Sequence, residues 1–266
     1  MDAPAQGTTN SRLEVAVAIA REAGDVTLGY FCRDNYQVET KSDASPVTIA
    51  DREAEQHLRR RIQAAFPDDA IMGEEFGAKD GTSGYRWILD PIDGTKSFIR
   101  GVPLYGTMVA VEHDGRGIVG AISFPPLGEM IYAEVGSGAW HQRGDAEPQR
   151  AKVSGKRTLA EALFVTTAVE GFLPQRRRGA YQALEQAALL TRTWGDCYGY
   201  LLVATGRAEV MIDPLMSIWD AAALQPILTE AGGTFTDWKG EPSIHNNEGV
   251  ATNGHVLEEV LAITRQ

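Results

Sequence analysis

A short acidic segment in the first half of the chain combines residue types that bind divalent cations. It reads Asp-Pro-Ile-Asp-Gly-Thr over residues 90–95 and follows the apolar run Trp-Ile-Leu. Asp90 and Asp93 stand three positions apart, so that a turn aims both carboxylates at one point, with the Ile92 carbonyl between them. Hard cations such as Mg²⁺ prefer carboxylate and carbonyl oxygens. The segment indicates a cation site, and an Asx turn within a loop is the structural alternative.

The end of the same segment offers groups that suit an anion. Gly94 permits a backbone angle that other residues disfavour, or a close approach by a ligand. Thr95 stands where a short helix can begin, and the free N–H groups of a helix N-terminus bind phosphate. The segment therefore allows a phosphate group to lie beside a bound cation.

Three further acidic residues have both a functional and a structural interpretation. Glu74 lies in a Gly-Glu-Glu segment after an apolar run, where surface charge is the alternative. Asp220 follows Trp219 and precedes small apolar residues, where a helix N-cap is the alternative. Asp51 lies in Thr-Ile-Ala-Asp and is most simply a polar position on a helix. Their function depends on whether the fold brings them to Asp90.

The elements that must position these residues follow from hydrophobic periodicity and turn signals. Helices are predicted at residues 12–31, 49–66, 178–190, 198–204, 220–231 and 256–264. Strands are predicted at residues 70–72, 86–89, 106–112, 117–123, 129–135, 162–166, 192–194, 208–212, 234–236 and 249–252. Pro91 is expected to end the strand that carries Asp90, because proline has no N–H to donate to a neighbouring strand.

The order of these elements predicts an α/β protein with two different halves. We expect a disordered tail at 1–10, an α+β metal-binding domain at 11–148, and an α/β substrate-specificity domain at 149–266. Strands and helices alternate in the second domain, whereas they are mixed in the first. The boundary is placed near the Gly-rich and polar stretch 136–150.

Composition and charge exclude several classes of protein. The 266 residues include 36 acidic and 25 basic ones, a formal charge of −11, which disfavours binding to nucleic acid or to anionic membranes. No apolar run approaches the ~20 residues of a membrane span. The first ten residues lack the features of a signal peptide, so a cytoplasmic protein is expected. Cys32 and Cys197 have neither disulfide-framework nor zinc-ligand spacing.

Four segments together resemble the inositol monophosphatase family and occur in the family's order. They are Gly-Glu-Glu at 73–75, Asp-Pro-Ile-Asp-Gly-Thr at 90–95, Trp-Asp-Ala-Ala at 219–222 and Glu-Ala-Gly-Gly at 230–233. This family is a branch of the metal-dependent, lithium-sensitive phosphatases that include fructose-1,6-bisphosphatases. The resemblance runs from about Leu13 to Ile263. It implies a layered αβαβα fold, Mg²⁺ as cofactor, a small phosphate monoester as substrate, and a homodimer.

The resemblance also implies a set of metal ligands in this chain. Glu74, Asp90 and the Ile92 carbonyl would hold one Mg²⁺ ion. Asp90, Asp93 and Asp220 would hold a second ion, with Asp90 as the bridging ligand. Glu74 would help to hold a third, so that two to three ions are expected.

Further positions match residues that act on the substrate in the family. Asp51 and Thr95 would pair to orient and activate a water molecule, with Glu74 as the third catalytic residue. Gly94 and Thr95 would donate backbone N–H groups to the phosphate. Lys41 matches a lysine that precedes the aspartate in the family and is expected at the substrate.

Substrate choice is expected to depend on the C-terminal half. The segment 192–200, Arg-Thr-Trp-Gly-Asp-Cys-Tyr-Gly-Tyr, is similar to the branch of the family that dephosphorylates L-histidinol phosphate. Asp196 and Asp213 would contact the cationic end of that substrate, because a carboxylate facing an ammonium forms a strong charge-assisted hydrogen bond. The alternatives are a helix cap for Asp196 and a turn for Asp213. Arg192 would reach the substrate or a neighbouring subunit, or form a surface salt bridge.

Other functions stay open at this point. Inositol 1-phosphate and 3′-phosphoadenosine phosphate are alternative substrates within the family. A non-catalytic protein that kept the fold is the alternative from a different class, and the presence of six acidic and hydroxyl positions of the motif argues against it. These positions are Asp51, Glu74, Asp90, Asp93, Thr95 and Asp220.

Overall fold

The structure, a computed structural model, describes residues 11–33, 36–41, 46–173 and 177–265. The tail predicted at 1–10 lies outside these residues. The helices are α1 Arg12–Leu28, α2 Ile49–Ala65, α3 Thr95–Phe98, α4 Arg178–Ala187, α5 Asp196–Ala204, α6 Ile218–Ala221, α7 Leu224–Glu230 and α8 Leu257–Thr264. Within the described part of the chain, none of them is long and apolar enough to cross a bilayer.

In the described residues the strands form two large sheets and a two-stranded antiparallel sheet of β1 and β2. The strands are β1 Val38–Thr40, β2 Pro46–Thr48, β3 Ala70–Gly73, β4 Gly77–Lys79, β5 Tyr85–Asp93, β6 Gly106–His113, β7 Arg116–Phe124, β8 Glu129–Glu134, β9 Gly138–Arg143, β10 Gln149–Arg150, β11 Leu163–Val165, β12 Leu190–Arg192, β13 Val210–Asp213, β14 Thr234–Thr236 and β15 Gly249–Thr252. The first sheet has the order β10-β9-β8-β7-β6-β5-β3-β4, and the second has the order β12-β11-β13-β15-β14.

Alternating side chains decide which helices cover each face of the first sheet. Trp87 and Leu89 of β5 point into a core made with α1 and α2. Ile88, between them, points to the opposite face and packs in a second core with α5, α6 and α7. Successive residues of a strand face opposite sides, so that a strand apolar throughout is covered on both faces.

The second sheet shares that central layer of helices and has its own outer layer. Met211 and Ala251 pack against the central helices, whereas their neighbours Val210 and Val250 pack with α4 and α8. The layers are therefore α1 and α2, the first sheet, α5 to α7, the second sheet, and α4 with α8. This order confirms the predicted αβαβα fold.

The central helices approach the first sheet closely at a glycine. A Cβ added to Gly120 of β7 would lie 2.2 Å from the Ala223 carbonyl oxygen, between α6 and α7. Only glycine allows the backbones to pack at this distance. Glu230, at the end of α7, accepts hydrogen bonds of 2.8 and 2.6 Å from the N–H groups of Gly136 and Gly138, and so connects α7 to the turn between β8 and β9.

Two sequence expectations about the local structure around Asp90 and Asp220 are wrong. Pro91 does not end β5, because two residues, Pro91 and Ile92, lie opposite Thr107 in a β-bulge that needs no N–H from proline. The helix predicted at 220–231 is divided into α6 and α7, and its N-cap is Ser217 rather than Asp220. The proposed boundary at 148 falls two residues before the end of β10, which still pairs with β9.

Candidate active site

Three of the predicted metal ligands meet at the C-terminal end of β5. Asp90 and Asp93 flank the bulge of β5, and Asp220 is the third residue of α6. One carboxylate oxygen from each of the three lies within 4.8 Å of the others. The bulge makes this possible because it changes the register between Asp90 and Asp93 while both remain on one strand. The structure therefore brings together acids that are 130 positions apart in the sequence.

Burial and mutual repulsion perturb these acids strongly. Burial, followed by the charges of Glu74, Asp93 and Asp220, raises the pKa of Asp90 well above its usual range. Burial and the charges of Asp196 and Asp220 do the same to the pKa of Asp93. Burial raises the pKa of Asp220 to about 7. Such shifts are expected where several carboxylates share a poorly hydrated site.

The donor set of this cluster fits a hard divalent cation. All donors are oxygens, which Mg²⁺ prefers over nitrogen and sulfur. The charge of Glu74 also contributes to the raised pKa values of Asp51, Asp90 and Asp220, so that Glu74 faces the same cluster. Oδ1 of Asp51 is buried without a hydrogen-bond partner. An unpaired buried carboxylate oxygen is costly, and a cation beside it would remove that cost.

The turn after Asp90 is held by its own hydrogen bonds. The Ile92 N–H donates to Oδ1 of Asp90 over 3.1 Å, and the Thr95 hydroxyl donates to the Ile92 carbonyl oxygen over 3.0 Å. Gly94 has φ of +92° and is the N-cap of α3. This left-handed backbone is one of the two alternatives that the sequence offered for a glycine at this position.

Asp51 is positioned by the start of α2. Its Oδ2 accepts hydrogen bonds from the N–H and the hydroxyl of Thr48, at 2.8 and 2.7 Å, in a capping box. Burial raises the pKa of Asp51 to about 6. Asp51 was expected to pair with Thr95, but in this structure the Thr95 hydroxyl bonds to Ile92 and Asp51 bonds to Thr48.

Lys41 and Glu74 are in direct contact beside this cluster. The Lys41 ammonium lies 2.7 Å from Oε1 of Glu74 and 2.6 Å from Oε1 of Glu75. Although burial opposes it, these two carboxylates raise the pKa of Lys41 above its usual value. Burial raises the pKa of Glu75 to about 7. Glu75 was not predicted as a site residue, although it is adjacent to Glu74 in the sequence.

The two acids assigned to the substrate lie in a cavity next to the cluster. The cavity has a volume of about 90 Å³ and is lined by Asp93, Thr167, Asp196, Cys197, Tyr200, Asp213, Leu215, Met216 and Asp220. Burial raises the pKa of Asp196 to about 7, and the charge of Asp213 adds to the shift. Arg192, which was also assigned to the substrate, is not among the lining residues. It is exposed on β12, and its guanidinium donates to the Thr191 carbonyl oxygen.

Thr167 and Tyr200 hold the two cavity acids, and the sequence did not indicate either residue. The Thr167 hydroxyl accepts from the Asp196 N–H over 2.9 Å, and the Thr167 N–H donates to Asp213 over 3.0 Å. The Tyr200 hydroxyl donates to Oδ2 of Asp213 over 3.1 Å. Asp196 has φ of +53°, a conformation that aspartate tolerates better than most residues. Because these contacts depend on tertiary structure, no local sequence signal exists for them.

Two contacts connect the cavity to the acidic turn. The Cys197 N–H, in the first turn of α5, donates to Oδ2 of Asp93. A Cβ added to Gly94 would lie 3.0 Å from Oδ2 of Asp196. The side chain proposed to bind substrate therefore abuts the turn that carries the proposed metal ligands.

The chain belongs to the inositol monophosphatase family, whose model matches residues 9–266. A histidinol-phosphatase from Chlorobaculum parvum is 45% identical over 245 residues, 92% of this chain and 93% of that protein. A histidinol-phosphatase from Streptomyces coelicolor is 38% identical over 258 residues, 96% of this chain and 97% of that protein. The solved structure of an IMPase from Thermotoga maritima has a TM-score of 0.84 at 30% identity and covers 96% of each chain.

These relationships confirm three expectations from the sequence. They are the family itself, the layered α/β fold, and membership of the phosphoric monoester hydrolases. The acidic cluster of Asp90, Asp93 and Asp220 could bind a metal ion, as expected for a member of a metal-dependent family.

Proposed function

We propose that this phosphoric monoester hydrolase uses Mg²⁺ to hydrolyse L-histidinol phosphate to L-histidinol and phosphate. The observation that carries the proposal is the shared cavity: Asp93 and Asp220 of the proposed metal site line it together with Asp196 and Asp213. A phosphate ester placed here would have its phosphoryl group at the cation site and its amino group near the two other acids. The two histidinol-phosphatase relatives support the same substrate.

We assign the cations to the predicted oxygen ligands. Glu74, Asp90 and the Ile92 carbonyl would hold one ion, and Asp90, Asp93 and Asp220 a second, with Glu74 also helping a third. Bound Mg²⁺ supplies positive charge to the phosphoryl and leaving oxygens and lowers the pKa of water. The carbonyl of Ile92 already accepts from Thr95, and a carbonyl oxygen has a second lone pair for a cation.

The remaining site residues would bind the phosphate and move protons. The free oxygen Oδ1 of Asp51 is suited to accept a proton from the attacking water molecule. The water oxygen forms the new bond to phosphorus, the ester P–O bond breaks, and the departing alkoxide takes a proton to become the alcohol of histidinol. The N–H groups of Gly94 and Thr95, and the ammonium of Lys41, would stabilise the phosphoryl oxygens.

Inositol 1-phosphate is the second candidate substrate, and the likeness to the Thermotoga maritima IMPase favours it. A neutral polyol gives Asp196 and Asp213 no cation to bind, so that their repulsion would remain. For 3′-phosphoadenosine phosphate we find no favouring observation. The homodimer, the two-domain division at 148 and 149, the contact of Arg192 with substrate or partner, and the cytoplasmic location stay predictions.

Asp196→Asn tests the substrate assignment. A charge-assisted hydrogen bond contributes about 1.5–3 kcal/mol, so that KM for histidinol phosphate should rise about 10- to 100-fold, with KM for inositol 1-phosphate unchanged. Asp114→Asn is a matched control, because Asp114 also has positive φ, at +51°, but is exposed in the turn between β6 and β7. Equal effects of Asp196→Asn on both substrates would refute the assignment, and activity that survives EDTA would refute the requirement for Mg²⁺.

A further inference from the structure

Glu55 is a fully buried acid on α2 that bonds to the turn carrying Glu74. Its side chain is 0% exposed. Oε2 accepts from the Glu75 N–H over 2.7 Å, and Oε1 accepts from the Phe76 N–H over 3.2 Å. The two N–H groups belong to the residues directly after Glu74, between β3 and β4. One carboxylate on a helix therefore satisfies the main chain of a turn on the neighbouring sheet.

Gly73 makes this contact possible. A Cβ added to Gly73 would lie 2.1 Å from Oε1 and 2.4 Å from Cδ of Glu55. Real Cβ atoms do not approach other heavy atoms so closely, so that the Glu55 carboxylate occupies the space that any other side chain would need. Gly73, the residue before Glu74, therefore leaves the space that the Glu55 carboxylate occupies.

Arg59 completes the contact on the same helix. Its Nε donates to Oε1 of Glu55 over 2.7 Å, and Nη2 donates to the Gly77 carbonyl oxygen at the start of β4. Glu55 and Arg59 are four residues apart, as are Asp51 and Glu55, and residues at this separation share one face of a helix. The helix that positions Asp51 thus also holds the main chain after Glu74, from Glu75 to Gly77.

We propose that Glu55 is a positioning residue for the cation site, which it serves by fixing the main chain directly after Glu74. The proposal rests on the proposed function, in which Glu74 is a metal ligand. A ligand carboxylate must be held close to its bound orientation, because any freedom left in the turn is lost when a cation binds. Residues that orient metal ligands typically change metal affinity 10- to 100-fold when they are replaced.

The test is Mn²⁺ binding to Glu55→Gln, measured by titration calorimetry and by electron paramagnetic resonance of free Mn²⁺, without substrate. An amide accepts through one oxygen only, so that its NH₂ group would face an N–H donor of the turn. We expect Mn²⁺ affinity to fall about 10- to 100-fold. KM for the phosphate ester at saturating Mg²⁺ should change far less than the metal affinity.

Asp69→Asn is the matched control for a merely structural role. Asp69 is 2% exposed, precedes the other end of β3, and accepts hydrogen bonds from Arg12, Ser83 and Trp87 at 2.9, 2.6 and 2.8 Å. Both substitutions should lower the melting temperature, because each removes a charge from a buried network. Only Glu55→Gln should weaken Mn²⁺ binding.

A milder variant keeps the proposal testable if Glu55→Gln does not fold. Arg59→Lys keeps a positive charge beside Glu55 but loses the two-pronged guanidinium contact, so that its Mn²⁺ affinity should lie between those of the wild type and Glu55→Gln. Wild-type Mn²⁺ affinity in every variant that folds would overturn the positioning role, even if the enzyme hydrolyses histidinol phosphate. Conversely, loss of Mn²⁺ binding in the variants of an enzyme inactive on histidinol phosphate would reject the proposed substrate and keep the positioning role.

Discussion

Asp220→Asn should make the metal-free protein more stable, although it removes a proposed metal ligand. Asp90, Asp93 and Asp220 place carboxylate oxygens within 4.8 Å of one another. At an effective dielectric constant of about 20, Coulomb's law gives about 3.5 kcal/mol for two unit charges at the 4.8 Å limit of that cluster. The raised pKa values of these acids mean that the full charge is not developed, so that we expect a gain of about 1–3 kcal/mol.

Local hydrogen bonds should survive this substitution. Oδ2 of Asp220 accepts from the Ser217 N–H over 2.7 Å, and an amide oxygen at that place can do the same. The NH₂ group of the new amide can donate a hydrogen bond to Asp90, whereas the Asp220 carboxylate repels it. For a chain of this size, 1 kcal/mol shifts the melting temperature by roughly 2–4 °C. The expected increase in EDTA is therefore about 2–12 °C by differential scanning calorimetry.

Magnesium should invert the order of stability. A cation at about 1,000 times its dissociation constant adds about 4.1 kcal/mol to the protein that binds it, which exceeds the gain from the substitution. The wild type should gain this stabilisation in Mg²⁺, and Asp220→Asn should gain much less. The matched control is Asp237→Asn, since Asp237 is a buried acid that accepts from the N–H groups of Lys239 and Glu241 and should only lose stability when neutralised. A lower melting temperature for Asp220→Asn in EDTA would refute the reasoning.

Two further predictions concern single residues outside the metal ligands. Gly94→Ala would strain a backbone at φ +92° and place a methyl group 3.0 Å from Oδ2 of Asp196. We expect kcat/KM in steady-state assays to fall about 100-fold while the protein stays folded. An unchanged kcat/KM would contradict this prediction. Although burial opposes it, the hydrogen bond from His141 and the charges of Arg207 and Arg143 hold the pKa of Glu129 at about 2. The ionised Glu129 carboxylate therefore contributes about 3 kcal/mol to the free energy of unfolding. This contribution is present above pH ~4.5 and is lost as the pH falls towards 2. Urea unfolding of the wild type and Glu129→Gln should therefore differ at pH 6 and converge near pH 2, and a gap that is constant with pH would contradict it.

The periodic parts of the fold were predictable because their signals are local. Strands β6 and β7 were expected at 106–112 and 117–123, and Asp114 and Gly115 between them have positive φ, at +51° and +77°. Strands β14 and β15 have the bounds expected from the sequence. Strand β4, of three residues, and the short β1 and β2 were missed, because so few residues show no periodicity.

The candidate site was predictable where residue type and spacing carry the chemistry. Asp90, Asp93 and Asp220 meet as the motif implied, and Asp196 and Asp213 share one cavity. Arg192 was expected at the substrate, at a neighbouring subunit or in a surface salt bridge; it is exposed on the edge strand β12 and does not line that cavity. Motif position alone does not determine the direction of a side chain on a strand, since neighbours face opposite sides.

The supporting contacts were not predictable from one sequence. Thr167, Tyr200, the Cys197 N–H and Glu55 each act across a large sequence separation, through contacts that exist only in the folded chain. In the sequence alone, Glu55 is one of several charged residues that are typical of the exposed face of a helix. Its environment becomes clear only when Gly73 is seen to leave space for its carboxylate.

The most direct measurement of the central claim is anomalous diffraction from a crystal soaked in Mn²⁺. The proposal predicts anomalous peaks between Asp90, Asp93 and Asp220, with Glu74 and the Ile92 carbonyl as further ligands. Peaks elsewhere on the protein, or no peak among these acids at a Mn²⁺ concentration that supports catalysis, would contradict it.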